Sequence, residues 1–264
     1  MLQDTDARGR QREANPALRK VSGNRNSTPP TLAELAYTIL EEMIVTLALP
    51  PGHLISEAEL QRNLNLGRTP LREALQRLAS ERLVKITPRR GMVVTHVDAR
   101  QQLMILRVRR PLDRLLVLGA AENLDGEQKA AMLQCARDIV AAAKANDAGS
   151  FMRADRLYDQ IVEEACDNQF AVDAAAPLHA HSRRFWYMYK RDRDLVQSAK
   201  RHAAVMRAIG SGDADRIEEA QKVLMDYLWS FAGKILGSRV PNSIVATKGQ
   251  ILARGKRGDA VSCG

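Results

Sequence analysis

Residues 67–75 read GRTPLREAL. Arg68 and Arg72 stand four apart, a spacing that puts both on one face of a helix. Arginine can bond guanine O6 and N7 bidentately, and it can also clamp a phosphate. Thr69 can bond phosphate or pack on a thymine methyl, and Glu73 can orient an arginine or accept from cytosine N4. Pro70 suits a first helical turn, where its missing N–H costs nothing. The plain alternative is an exposed amphipathic helix with ordinary surface charges. The elements that would position this stretch decide between the two.

Before it, TLAELAYTILEEMIVT opens with a Thr31–Glu34 capping box and carries Leu32, Leu35, Ile39, Met43 and Ile44 at helical spacing. Pro50, Pro51 and Gly52 stop that helix, and SEAELQRNLNL opens a second with another box, Ser56 to Glu59. GRTPLREALQRLASERL is the third, with Leu71, Leu75, Leu78 and Leu83 on one face. Two β-branched runs follow, Val84–Thr87 and Met92–Val97, split by a Pro-Arg-Arg-Gly turn. Three short helices and a hairpin describe a winged helix-turn-helix, which aims the start of its third helix at base edges while the hairpin meets the backbone or minor groove.

Charge agrees with that placement. The chain is +9 overall, and from Gln61 to Arg90 eight basic residues face two acidic ones. A basic excess concentrated on one unit fits an anionic partner better than a generally solvated surface does.

The remainder has a different texture. Residues 1–29 read as a disordered N-terminal arm, 30–97 as the winged helix-turn-helix, 98–238 as an all-α bundle of six to seven helices, and 239–264 as a flexible basic tail. Helix breaks are expected near Asp125-Gly126, Asn146–Ser150, Asp167-Asn168, Pro177 and Gly210–Gly212. The fold class is therefore mainly α. No apolar run reaches the ~18 residues of a membrane span, and no secretory signal is present. Three scattered cysteines (Cys135, Cys166, Cys263) argue for a reducing compartment. There is neither a Gly-rich phosphate loop nor a nucleophile–base pair at informative spacing, so an enzyme is not expected.

The stretch LALPPGHLISEAELQRNLNLGRTPLREALQRLASERLVKITPRRGMVV resembles the DNA-binding domain of GntR-family bacterial transcription regulators. The resemblance implies operator contacts from Arg68, Thr69 and Arg72, and a wing tip at Arg89, Arg90 and Gly91 that approaches the minor groove. Two positions depart from the pattern: Gly67 stands for the usual serine, and Arg82 for the usual glycine.

The helical segment resembles the FadR branch of that family, whose bundle is an FCD ligand-binding domain. LRVRRPLDRLL, RADRLYDQIVEEACDNQF and KRHAAVMRAIGSGDAD match its motifs in order. This implies a cytoplasmic, nucleoid-associated bacterial regulator: a homodimer on a palindromic double-stranded operator, without a membrane role, most naturally a repressor controlled by a small organic acid. A constitutive or architectural dimeric DNA-binding protein without effector is the alternative.

Many such bundles bind a divalent metal through an Asp and three His. Here Asp155 matches the aspartate, Asp159 stands at the first His position, His202 matches the second, and Leu224 falls at the third, with Asp226 and Tyr227 close by. No cofactor is certain. Two carboxylates and an imidazole could still hold Zn, Mn, Ni or Mg. Arg109 is the candidate for an effector carboxylate, with Asp155, Asp159 and His202 beside it. His179 and His181 are two apart and face different sides of a helix. Arg183, Arg184, Trp186, Tyr187 and Tyr189 either line a pocket for an anion or serve packing.

Overall fold

The computed structural model describes residues 29–87 and 91–239. The expected arm and tail lie outside these residues apart from Pro29 and Arg239, and so do Arg89 and Arg90. Helix α1 (Leu32–Val45) starts at the Thr31–Glu34 capping box. Its buried stripe is Ala36, Tyr37, Leu40, Glu41 and Ile44, whereas Leu32 is exposed and Leu35, Ile39 and Met43 are only partly covered. The stripe is rotated from the expected one because α1 must serve two neighbours, α3 on one side and a helix of the second unit on the other.

The Pro-Pro-Gly turn ends in a two-residue strand, β1 (Leu54–Ile55), too short to leave an alternating pattern in the sequence. Gly52 has φ +83° and donates its N–H to Val94 O at 2.9 Å, a conformation that favours glycine. Helix α2 (Glu57–Leu64) is capped one way only: Ser56 Oγ accepts from Glu59 N–H, with no return bond from the Glu59 side chain. Helix α3 (Arg68–Ser80) buries Leu71, Ala74, Leu75 and Leu78.

Strands β2 (Val84–Thr87) and β3 (Gly91–Val94) form the hairpin, and the antiparallel sheet runs β1-β3-β2. Leu83, Val84 and Val94 close the core beneath it. Arg82 adopts φ +64°, the left-handed conformation that a glycine would enter without steric cost. The helix ends with Leu83 N–H on Leu78 O at 2.9 Å, and Arg82 carries the strain of the turn.

Six helices follow: α4 (Ala99–Asn123), α5 (Gly126–Lys144), α6 (Ala148–Ala165), α7 (Gln169–Tyr189), α8 (Asp192–Ser211) and α9 (Ala214–Arg239). Asp98, Asp125, Asp147 and Asn168 cap α4 to α7 with side-chain oxygens on the first-turn amides, which explains most of the expected breaks. Pro177 does not break the chain. It lies inside α7, where Ala175 and Ala180 are fully buried on either side, and packing outweighs the ~3 kcal/mol that a mid-helix proline costs. The break comes instead at Lys190–Arg191, where Asp194 Oδ2 accepts from Arg191 N–H at 2.8 Å. A site that ends a helix through a side chain rather than Gly or Pro gives little sequence signal.

Helix α7 is also the contact between the two units. His181 Nε2–H donates to Glu81 O at 2.8 Å, Arg184 bonds Thr95 through its carbonyl and hydroxyl, and Arg183 pairs with Glu41 on α1.

Candidate nucleic-acid interface and ligand cavity

The first turns of α3 expose Arg68, Thr69, Arg72 and Glu73, with Pro70 half-buried beneath them, while Leu71, Ala74, Leu75 and Leu78 fasten the other side. Arg68 and Arg72 therefore sit on a rigid element with their side chains directed to solvent. Gly67 occupies the N-cap without a side-chain bond, leaving the first amides of α3 with no side-chain cap from that position. The carboxylate that holds an arginine here is Glu57 of α2, which accepts from Arg72 Nε at 3.0 Å. Gly91 begins β3 with φ +81°, at the base of a wing tip whose Arg89 and Arg90 are outside the described residues.

Not all of the basic charge belongs to this face. Arg77 stacks 3.8 Å over the Tyr37 ring and bonds Glu81 at 3.0 Å, and Tyr37 OH donates to the same carboxylate at 2.7 Å. It braces α1 against α3.

The helical unit holds a small cavity of about 40 Å³. That volume holds roughly three water molecules, or a ligand group of only a few heavy atoms. Arg109, Asp155, Asp159 and His202 all line it, and so does Leu224. Asp113, His179, Arg183 and Gln221 are among the other polar residues that line it. Arg109 donates to Asp113 Oδ2 at 2.8 Å, Gln221 Nε2 reaches the same oxygen at 3.4 Å, and His179 Nε2–H donates to Asp113 Oδ1 at 2.8 Å. Asp113 is thus the hub. Among the surrounding buried polar atoms, Arg109 Nε, Gln221 Oε1 and His179 Nδ1 make no hydrogen bond, although His179 Nδ1 lies 3.6 Å from Asp159 Oδ1. Buried polar groups are rarely left so.

The charges are crowded. Burial alone would pull the His179 pKa down, but the Asp159 and Asp113 carboxylates hold it above its ordinary value. Asp155 is pushed up, first by burial and then by Asp159, although His202 acts against the shift with Nε2 3.4 Å from Asp155 Oδ1. Glu163 is likewise raised by burial and by Asp159. Asp113 goes the other way: despite complete burial, Arg109 and His179 keep its carboxyl below the usual range.

This donor set does not suit a divalent metal. Arg183 donates to Asp159, so a guanidinium already neutralises the carboxylate that would bind the ion. Arg109 adds a second positive charge to the same cavity, and Leu224 offers no lone pair. His202 gives its Nδ1–H to Ser198 O at 2.9 Å, so its Nε2 beside Asp155 is the one imidazole nitrogen free to serve as a ligand among the aligned positions. Among the described residues no group of three or more His, Cys, Asp or Glu side chains is placed to hold a metal ion.

Comparison with known proteins agrees with both halves. Residues 32–94 match the model of bacterial regulatory proteins of the gntR family, and residues 104–226 match the FCD domain. An uncharacterized HTH-type transcriptional regulator from the TAR-I ttuE-ttuC' intergenic region of Agrobacterium vitis is 30% identical over 167 residues, covering 60% of this chain and 93% of that one. The chain belongs to the GntR family of bacterial regulators and carries an FCD domain. It is a DNA-binding transcription regulator and not an enzyme. The HTH-type transcriptional repressor RspR of Escherichia coli is 26% identical over 196 residues, 74% of this chain and 86% of that one. Of solved structures, E. coli McbR/YncC superposes with a TM-score of 0.68 at 20% identity, covering 78% of this chain and 99% of that one, a likeness of fold. No helix among the described residues is long and apolar enough to cross a membrane.

For a GntR-family chain the informative omissions from the sequence reading are Asp113 as hub, Gln221, and the pair Glu41–Arg183. Glu41 left a legible sign. It lies one residue after Leu40 and four after Tyr37, which places a carboxylate on the buried stripe of α1. His179 and His181 do face different sides, the first into the cavity and the second onto Glu81.

Proposed function

We propose that this regulator is a repressor that binds a palindromic operator as a homodimer and is controlled by a small carboxylic acid held in the helical cavity. The observation that carries the effector reading is the pair of unpartnered buried atoms beside Asp113. Arg109 Nε–H is a donor and Gln221 Oε1 an acceptor, and both residues line the same small cavity. A carboxylate oxygen would accept from Arg109, as charge-assisted bonds to arginine favour, and a hydroxyl or bound water would donate to Gln221. His202 and Asp155 line the same cavity.

Repression is supported by the similarity to the transcriptional repressor RspR, and the operator symmetry by the rule that a two-fold protein reads a two-fold site. The acid must bind one arrangement of the DNA-binding domains better than another, or it shifts nothing.

The test is thermal melting, then operator binding, with sodium acetate, glycolate, lactate and malonate against sodium chloride at matched ionic strength. At least one acid should raise the melting temperature and weaken operator binding, and Arg109→Gln should abolish both effects. If none of these acids moves either quantity, the bundle has no carboxylate-effector role, and the constitutive DNA-binding reading replaces this one.

A further inference from the structure

Three side chains of α7 reach from the helical unit to the DNA-binding unit: His181 to Glu81, Arg184 to Thr95, and Arg183 to Glu41. Only Arg183 also faces the ligand cavity, where its other nitrogen donates to Asp159. One guanidinium therefore spans two carboxylates, one in the cavity and one on α1. All three groups are deeply buried: Arg183 is 6% exposed, Glu41 3% and Asp159 6%.

The surroundings make Arg183 a partition. A cleft of about 140 Å³ runs between α1 and α6, lined by Thr38, Glu41, Arg156 and Gln160, and Met152 and Arg183 border both this cleft and the cavity. A ligand group that moves Arg183 on the cavity side is felt directly at α1. Arg109 lacks this property, because its ion pair closes on Asp113 within α4.

We propose that Arg183 is the ligand-binding residue through which the cavity governs the DNA-binding unit: an anionic ligand takes its guanidinium and withdraws it from Glu41. The proposal rests on the reading of the cavity as an effector site. Glu41 then keeps only Arg156, whose NH2 lies 3.5 Å from Oε2. A buried carboxylate that loses its main partner is strongly unfavourable, so the docked position of α1 becomes the less stable one. The ligand thereby has different affinities for the docked and undocked arrangements, which is what coupling requires.

The same chemistry explains why this cavity does without a metal-like ligand set. Arg183 supplies the cationic centre, and Asp159 holds it there in the unliganded protein. The Arg184 and His181 contacts are untouched by the ligand and remain as the pivot.

The experiment compares the wild type with Glu41→Gln, using sodium acetate, lactate and malonate as probes against sodium chloride at matched ionic strength. Ligand binding is read from melting, and DNA affinity from a duplex that the protein itself selects from a random pool. In the wild type the binding acid should change DNA affinity by about five-fold or more, the lower end of ordinary allosteric coupling. In Glu41→Gln the acid should bind more tightly, since it no longer competes with Glu41, while the DNA response falls below about two-fold. Arg183→Lys gives a second reading that keeps the charge: a point charge cannot bridge two carboxylates as the planar fork does, so coupling should fall there too. Unchanged ligand affinity and unchanged DNA response in both variants would overturn the bridge while leaving the cavity reading intact. If no acid shifts the wild-type melt, the cavity reading falls and the bridge falls with it.

Discussion

Arg72 and Glu57 are joined across the turn of the reading motif, Nε to Oε2 at 3.0 Å, with the Arg72 side chain 52% exposed. A residue expected to touch DNA is held by a carboxylate from the neighbouring helix. Either Glu57 aims Arg72 or it competes with DNA for it, and the half-exposed, solvent-screened geometry favours competition. Glu57→Gln should therefore tighten DNA binding by roughly two- to five-fold, in keeping with the ~1 kcal/mol or less that an exposed ion pair is worth. Fluorescence anisotropy at fixed salt measures this. Weaker binding would mean that Glu57 positions Arg72.

Arg82 occupies a left-handed backbone conformation at the end of α3. Arg82→Gly should stabilise the protein by about 1 kcal/mol, because left-handed backbone costs a non-glycine residue ~1–2 kcal/mol and glycine's extra freedom in the unfolded chain offsets part of the gain. Urea denaturation should show a higher midpoint with unchanged slope. A lower midpoint would show that the Arg82 side chain contributes more than its backbone strain.

His179 is raised above its ordinary pKa by Asp159 and Asp113, in spite of burial. A raised folded pKa means the protonated form is favoured by folding, so its stabilisation is complete below about pH 6.5 and is lost as pH climbs through the folded value. His181 is shifted the opposite way by burial and opposes this slope. The wild type should accordingly lose more melting temperature between pH 6 and pH 9, by roughly a few degrees, than His179→Gln does. Parallel melting profiles for the two proteins would contradict the ion pairing of His179 with Asp113 and Asp159.

Because Arg183 occupies Asp159 and Leu224 stands at the third imidazole position, chelation should leave the protein unaffected. Melting and DNA affinity are expected to be the same before and after EDTA dialysis and after addition of Zn²⁺, Ni²⁺ or Mn²⁺. A melting rise of several degrees with one of these ions, abolished by Asp155→Ala, would restore a metal to the cavity.

Helix α3 is legible in the sequence because its signals are local. The Leu71, Leu75, Leu78 spacing, the proline at the start and the arginines four apart all act within one element, and the hairpin follows within a few residues. The cavity was only partly legible. Asp155, Asp159, His202 and Arg109 come together as expected, but their partners arrive from distant helices: Asp159 is held by Arg183 from α7, and Asp113 by His179 and Gln221 from α7 and α9. No periodicity reports such pairings. The buried stripe of α1 shifted for the same reason, since the helix packs against α7 as well as α3 and sequence spacing cannot register the second partner.

The most direct test of the central claim, that α3 reads DNA, is the affinity of Arg68→Ala and Arg72→Ala for a selected operator and for a scrambled duplex of equal length and salt. The account predicts that at least one substitution costs about 1–3 kcal/mol on the operator and much less on the scrambled duplex, with specificity relaxed at one base pair per half-site. Equal losses on both duplexes for both variants would mean that neither arginine reads a base, and would contradict the assignment of α3 as the reading helix.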